Sequence, residues 1–172
     1  MDPRRPISPD VGVGSARDAY LAENGFTVAA YDDPWTKASF FAIDLSIPNT
    51  KRHRWGIMLH DLHHVATGFG TDLVGEGEIS AWEVGAGLRG LGPYVGSIVL
   101  GGTLLGLALA PGRAWRAWRS GRRARALWTV TPNYEDLLSK SVRELRAFIG
   151  VPEHGLAEVP RKLHKNAPGV KN

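Results

Sequence analysis

The chain contains no cysteine, which excludes disulfide scaffolds, thiolate-held metals and a cysteine nucleophile. Any metal it binds is held by nitrogen and oxygen. No glycine-rich phosphate loop of the G-x-x-x-x-G-K type occurs, so nucleotide hydrolysis has no motif behind it. The two arginines of "MDPRRPISPDVGVG" are followed by no apolar run, so neither a secretory signal nor an N-terminal anchor is expected, and a cytoplasmic start is. Internal repeats are absent. With 172 residues the chain is long enough for one domain with a real core and too short for two of ordinary size.

The charge is uneven. The formal balance is +4, and most of the excess sits in "PGRAWRAWRSGRRARALW", where Arg113, Arg116, Arg119, Arg122, Arg123 and Arg125 mix with Trp115, Trp118 and Trp128 and no acid intervenes. Upstream, Ser15 as N-cap and Gly25 as stop predict a short helix over "SARDAYLAENGF". The alternation of Phe41, Ile43, Leu45 and Ile47 with polar or small residues predicts an extended segment ending at Pro48, with no evident partner strand. A helix is expected from Asn49 or Thr50 to Gly68, because Trp55, Met58, Leu59, Leu62 and Val65 keep a helical period. After the loop "GFGTD", a second helix capped by Thr71 or Asp72 carries Leu73, Val74, Glu76, Ile79, Trp82 and Glu83. Near the end, "TPNYEDLLSKSVRELRAFIG" predicts one helix, capped by Thr131, with Pro132 in its first turn and Gly150 as its stop.

The segment "HDLHHVATGFGTDLVGE" carries metal-type residues. On a helix His60 and His64 lie one turn apart on the same face, so both imidazoles reach a single ion. Asp61 stands about 100° round from His60 and three residues before His64, where it adds a ligand oxygen or holds a ligand from behind. Glu76, on the next helix after a tight turn, comes back to close the set. Three or four ligands from two helices leave coordination positions open, as catalytic sites do. A histidine pair at this spacing is also common on ordinary helices. His63 points elsewhere, to solvent or behind a ligand; His53, two turns before His60, ranks lower as a ligand, and His154 and His164 belong to a solvated tail. A zinc-peptidase reading fits poorly, since Asp61 replaces the longer Glu that acts there as base. A His-Asp phosphohydrolase would need His53 and Asp136, which are loose matches.

Taken together, these residues resemble the metal-binding coenzyme Q biosynthesis family, whose signature is H-D-x-x-H, eleven residues, then Glu. His60, Asp61, His64 and Glu76 meet it with full spacing. "LVGE" is similar to that family's Leu-x-Gly-Glu. "ISAWE", ending at Glu83, is similar to its Lys-Trp-x-Glu segment, with Ser80 or Ala81 in the place of Lys. The closing stretch with Tyr134, Glu135, Leu145, Arg146, Gly150 and Val151 follows in the expected order. The similarity covers roughly residues 50–152; the N-terminal third lacks the mitochondrial pattern.

The resemblance implies a mostly helical protein that binds zinc, or else iron, manganese or magnesium, together with a prenylated aromatic lipid. It implies oxidative decarboxylation of a prenylated 4-hydroxybenzoate-type ring, with hydroxylation at the carbon that loses its carboxylate. His60, Asp61, His64 and Glu76 are then the metal set, and Asp61 or Glu83 the groups that move protons; a surface salt bridge is the plain alternative for Glu83. A second reading of the family is a lipid-binding organiser without turnover. The expected fold is an all-α, single-domain helical bundle with a short extended segment near residues 40–47. Residues 1–14 form a flexible arm, 15–152 the metal- and lipid-binding domain, and 153–172 a loose basic tail.

Residues 90–112 are uncharged and, at ~20 residues, long enough to cross a bilayer. They form either a buried helix lining a prenyl channel, an element dipping into one leaflet, or a true span. Gly102 and Gly106 leave a groove for close packing, and a homo-oligomer or contact with other quinone-biosynthesis proteins is expected there. The flanking arginines and tryptophans suit an anionic membrane surface better than nucleic acid, so a peripheral membrane protein on the cytoplasmic side is expected, cytoplasmic if the apolar helix is fully buried.

Overall fold

The computed structural model describes residues 7–40 and 43–157. Helix α2 (Lys51–Thr67) is its axis. Thr50 caps it by accepting a hydrogen bond from the His53 N–H, and Gly68, at φ 81°, turns the chain out of the helix in the left-handed region, which costs a glycine little. Leu59, Leu62 and Val65 are fully buried, as their period predicts. From Asp61 to Thr67 every residue is buried, so this half of α2 has no solvent side. It is enclosed by α1 (Val13–Glu23), a 3-10 turn (Val28–Asp32), α6 (Leu127–Val130) and α8 (Val142–Ile149).

Helix α3 (Leu73–Ala86) starts at Asp72, whose carboxylate accepts from the Gly75 N–H. It lies between α4 (Gly92–Leu109) and α5 (Pro111–Gly121). The approach is close because glycine meets glycine: a Cβ on Gly77 would stand 2.4 Å from the Gly106 Cα, and one on Gly121 would stand 2.1 Å from the Trp82 carbonyl oxygen. The Gly102–Gly106 groove predicted for a partner is therefore filled by α3 of the same chain. Arg113 ties α5 to α3 through a two-pronged ion pair with Glu78 at 2.8 and 2.6 Å, so this arginine faces inward rather than toward an external surface.

The described chain is mostly helical, an all-α domain as expected. It differs from the sequence reading at five places. The extended segment is β2 (Ile43–Pro48), and it has a partner, β1 (Trp35–Phe40), paired antiparallel with Trp35 opposite Pro48. Helix α1 begins two residues before Ser15, at Val13, with Gly12 as an N-cap that makes no side-chain bond. The arm expected over 1–14 is packed from Ile7 onward: Ile7 and Val13 are buried, and residues 11–13 pair with 140–142. Residues 1–6 lie outside the described residues. The closing helix is two helices, α7 (Tyr134–Leu138) and α8, because Ser141 and Glu144 form a capping box that starts a new helix; Thr131, at φ 43°, ends α6 instead of starting α7. Within the tail, the backbone N–H groups of Leu156 and Ala157 both bond the Thr67 carbonyl, so residues 153–157 seal the end of α2; the rest of the tail, 158–172, lies outside the described residues.

Helix α4 is not a buried channel wall. Only Val95, Gly96, Val99 and Gly106 are buried, while Leu100, Leu104 and Leu107 face outward.

Candidate metal centre

The convergence begins with helix geometry. His60 and His64 occupy the same face of α2 one turn apart, and their ring Nε2 atoms stand 3.1 Å from each other. Asp72 aims α3 so that Glu76, in its first turn, meets both rings: its two oxygens lie 3.5 Å from the His60 and His64 Nε2 atoms. Among the described residues, these three are the set whose ligand atoms lie within 4.8 Å of one another.

The hydrogen bonds behind the rings decide what these nitrogens present. The Nδ1 of His64 lies 3.1 Å from the Phe69 carbonyl oxygen, which only accepts, so Nδ1 carries the hydrogen and donates it. The Nδ1 of His60 donates in the same way to the Glu83 carboxylate at 2.7 Å. In neutral imidazoles both Nε2 atoms are then bare lone pairs. Two lone pairs 3.1 Å apart beside a carboxylate repel each other unless a cation stands between them. That cation is a proton or a metal ion. For two nitrogens each about 2.0–2.1 Å from one ion, the observed separation corresponds to an angle of about 100° at the ion. The donor set therefore fits a divalent ion, and the partial exposure of His60 and Glu76 leaves an open side.

Glu83 is the residue that organises this arrangement. It is fully buried, and its Oε1 also receives the Nδ1–H of His63 at 2.8 Å. The tautomer of His63 is fixed from its other end, where Nε2 accepts the Leu127 N–H at 2.9 Å. His63, expected to face solvent or stand behind a ligand, is wedged edge-on between Trp82 and Trp128 and stands behind His60 through the shared carboxylate. A surface salt bridge for Glu83 does not hold; it is a positioning group beneath the ligands.

Asp61 is not among the converging three. Its Oδ2 accepts the Tyr31 hydroxyl hydrogen at 2.5 Å, a partner that lies thirty residues upstream and that no local spacing reveals. Burial pushes the Asp61 carboxyl up, against the pull of His60 and the Tyr31 hydrogen bond. His53 is buried edge-on to Tyr94, outside the cluster. Asp136 is exposed on α7 and His154 is exposed near the end of the described chain; His164 falls among residues 158–172.

Electrostatics follow from the same contacts. Burial alone would raise the Glu76 carboxyl, but the charges and hydrogen bonds of His64 and His60 outweigh it and hold Glu76 well below the carboxylate range. Glu83, likewise penalised by burial, is held at about 2 by His60 and His63. Burial works against the His60 imidazolium, yet Glu83 and Glu76 overcome this and raise its pKa well above 6.5. In the metal-free protein, then, His60 holds a proton at neutral pH in the place of an ion. A raised histidine stabilises the fold fully below its unfolded pKa, and the contribution is lost as pH rises through the folded value. The melting temperature of metal-free protein is expected to fall as pH rises above 6.5, whereas the metal-loaded protein keeps its stability there. Metal uptake at pH 7 should release about one proton, read from the buffer dependence of the calorimetric heat. Uptake with heat independent of the buffer would contradict it.

No protein-family model, curated protein or solved structure matches this chain. The likeness to the coenzyme Q family therefore rests on the motif residues themselves.

Proposed function

We propose that the chain is a metal-dependent enzyme of ubiquinone biosynthesis that decarboxylates and hydroxylates a prenylated 4-hydroxybenzoate-type ring. The observation that carries this reading is the pair of anchored imidazole lone pairs meeting one carboxylate on a half-exposed face. The ordered motif of His60, His64, Glu76 and Glu83 supports the substrate class. His60, His64 and Glu76 would hold the ion, with zinc first and iron, manganese or magnesium as alternatives. A divalent ion with open positions binds the ring carboxylate and phenolate and stabilises the negative charge left as carbon dioxide departs.

The chain's own residues do the rest. Glu83 holds the His60 ring in the tautomer that presents Nε2, and His63 holds Glu83. Asp61, kept near neutrality by burial and hydrogen-bonded to Tyr31, holds a proton beside the ligands that the departing carboxylate's carbon or oxygen can receive. Replacing a carboxylate by a hydroxyl is a two-electron oxidation, so dioxygen from outside the chain serves as acceptor.

A scaffold that binds prenyl lipid without turnover is the second reading, drawn from the outward apolar face of α4. The test is the quinone-lipid profile, by mass spectrometry, of a ubiquinone-deficient strain lacking its own family member. Wild type should restore ubiquinone and Glu76→Gln should not. Equal restoration by both would favour the scaffold; failure of a well-expressed wild type would remove the ubiquinone assignment and leave the metal site standing.

A further inference from the structure

Helix α4 presents a surface that water-facing helices do not carry. It runs for 18 residues, about 27 Å, and its outward positions are Tyr94, Ser97, Leu100, Gly101, Leu104, Leu107 and Ala108. None is charged. Leu104 is 68% exposed and Leu100 47%. Opposite, the inner face is closed against α3 by the Gly106–Gly77 backbone contact, so α4 meets its surroundings from the side and not end-on.

What lies next to this face identifies its occupant. From Glu83 to Glu135 the sequence has no acidic residue between them. Helix α5 and the turn after it follow α4 directly, with Arg119, Arg122, Arg123 and Arg125 exposed. Trp115 is half exposed and stacks on Trp118, over which the Arg122 guanidinium lies. An apolar helix flank bordered by arginines and tryptophan has the composition of an element lying in a membrane interface, where leucines enter the acyl boundary and arginines meet anionic headgroups. A second copy of the same face would offer no acid to those arginines.

We propose that the outward face of α4, with the exposed arginines of α5, docks side-on to an anionic lipid bilayer. The docked helix is the one packed on α3: Gly102 of α4 faces Ser80, and a Cβ there would lie 3.9 Å from the Glu76 carbonyl oxygen. The bilayer surface thus sits one helix layer from the metal ligand Glu76, within reach of a substrate whose prenyl tail stays in lipid. The docking surface stands without the metal reading; only this last consequence rests on it.

The test is flotation of the purified chain with phosphatidylcholine vesicles, with and without phosphatidylglycerol. Wild type should float with the anionic vesicles and lose that association as salt is raised. Leu104→Glu, at an exposed position where folding is indifferent to the change, should weaken partition about tenfold or more, and Arg123→Gln about fivefold. Circular dichroism verifies the fold of each variant, and metal content measured on the same samples tests the metal reading separately. Wild type remaining with the unbound protein, or Leu104→Glu floating equally well, would overturn the proposal. So would a stable dimer that does not float and that Leu104→Glu dissociates, since the face would then belong to a second copy.

Discussion

Glu76→Gln is expected to lower metal affinity by more than about a hundredfold, beyond the 10–100-fold typical of changes to groups behind a ligand. The substitution removes the one anionic ligand of the set while keeping its shape. The fold should survive, because the new amide N–H donates to one of the two Nε2 lone pairs and relieves their opposition in the metal-free protein. Helix content should be unchanged, and metal retained after dialysis, measured by inductively coupled plasma mass spectrometry, should fall to background. If the variant holds as much metal as wild type, Glu76 is no ligand. The same variant provides the inactive control in the quinone experiment, so occupancy and turnover can be compared on one substitution.

Arg146→Met should strike stability instead of occupancy. The guanidinium is fully buried, and burial pushes its pKa down to about 10, which leaves it charged at neutral pH. None of its hydrogen bonds reaches a carboxylate. Nε donates to the Ala66 carbonyl at 2.8 Å, and Nη1 donates to the carbonyls of Ile7 at 3.1 Å and Glu153 at 2.6 Å. One side chain thus pins the N-terminal segment, the C-terminal end of α2 and the segment after α8. The negative end of the α2 dipole supplies part of the counter-charge. Methionine fills much of the volume but leaves three carbonyls without this donor, so the loss is expected at about 3–5 kcal/mol, a large share of the ~5–15 kcal/mol that holds a domain. Urea denaturation reads it as a lower midpoint at unchanged slope. A change below about 1 kcal/mol, within the range of surface substitutions, would mean that water replaces the guanidinium at no cost. Metal bound per folded molecule should stay at the wild-type level, the reverse of Glu76→Gln.

Local rules carried the sequence reading as far as local rules reach. Thr50, Gly68 and Asp72 announce the ends of α2 and α3 because each bonds or turns within its own few residues. His60 and His64 follow from helical spacing alone, and Glu76 from the shortness of the turn between the helices. The "SVRE" capping box was also legible at Ser141, but the apolar positions Leu137, Leu138, Val142 and Leu145 run on in phase across the break and conceal it. Other features depended on the assembled fold. His63 and Asp61 look solvent-facing or ligand-like only if α2 has a wet side, and it has none there. Tyr31 reaches Asp61 from a 3-10 turn with no motif to mark it. The role of Glu83 emerges only when α2 and α3 are packed, because its two partners lie 20 and 23 residues away.

X-ray absorption of the zinc-loaded protein tests the central claim most directly. Loading to one ion per chain, with nitrogen and oxygen neighbours at about 2.0–2.1 Å and the outer-sphere scattering of two imidazoles, is the predicted spectrum. It should lose one imidazole in His64→Ala. Substoichiometric loading, or a spectrum without imidazole that His64→Ala leaves unchanged, would contradict the site built from His60, His64 and Glu76.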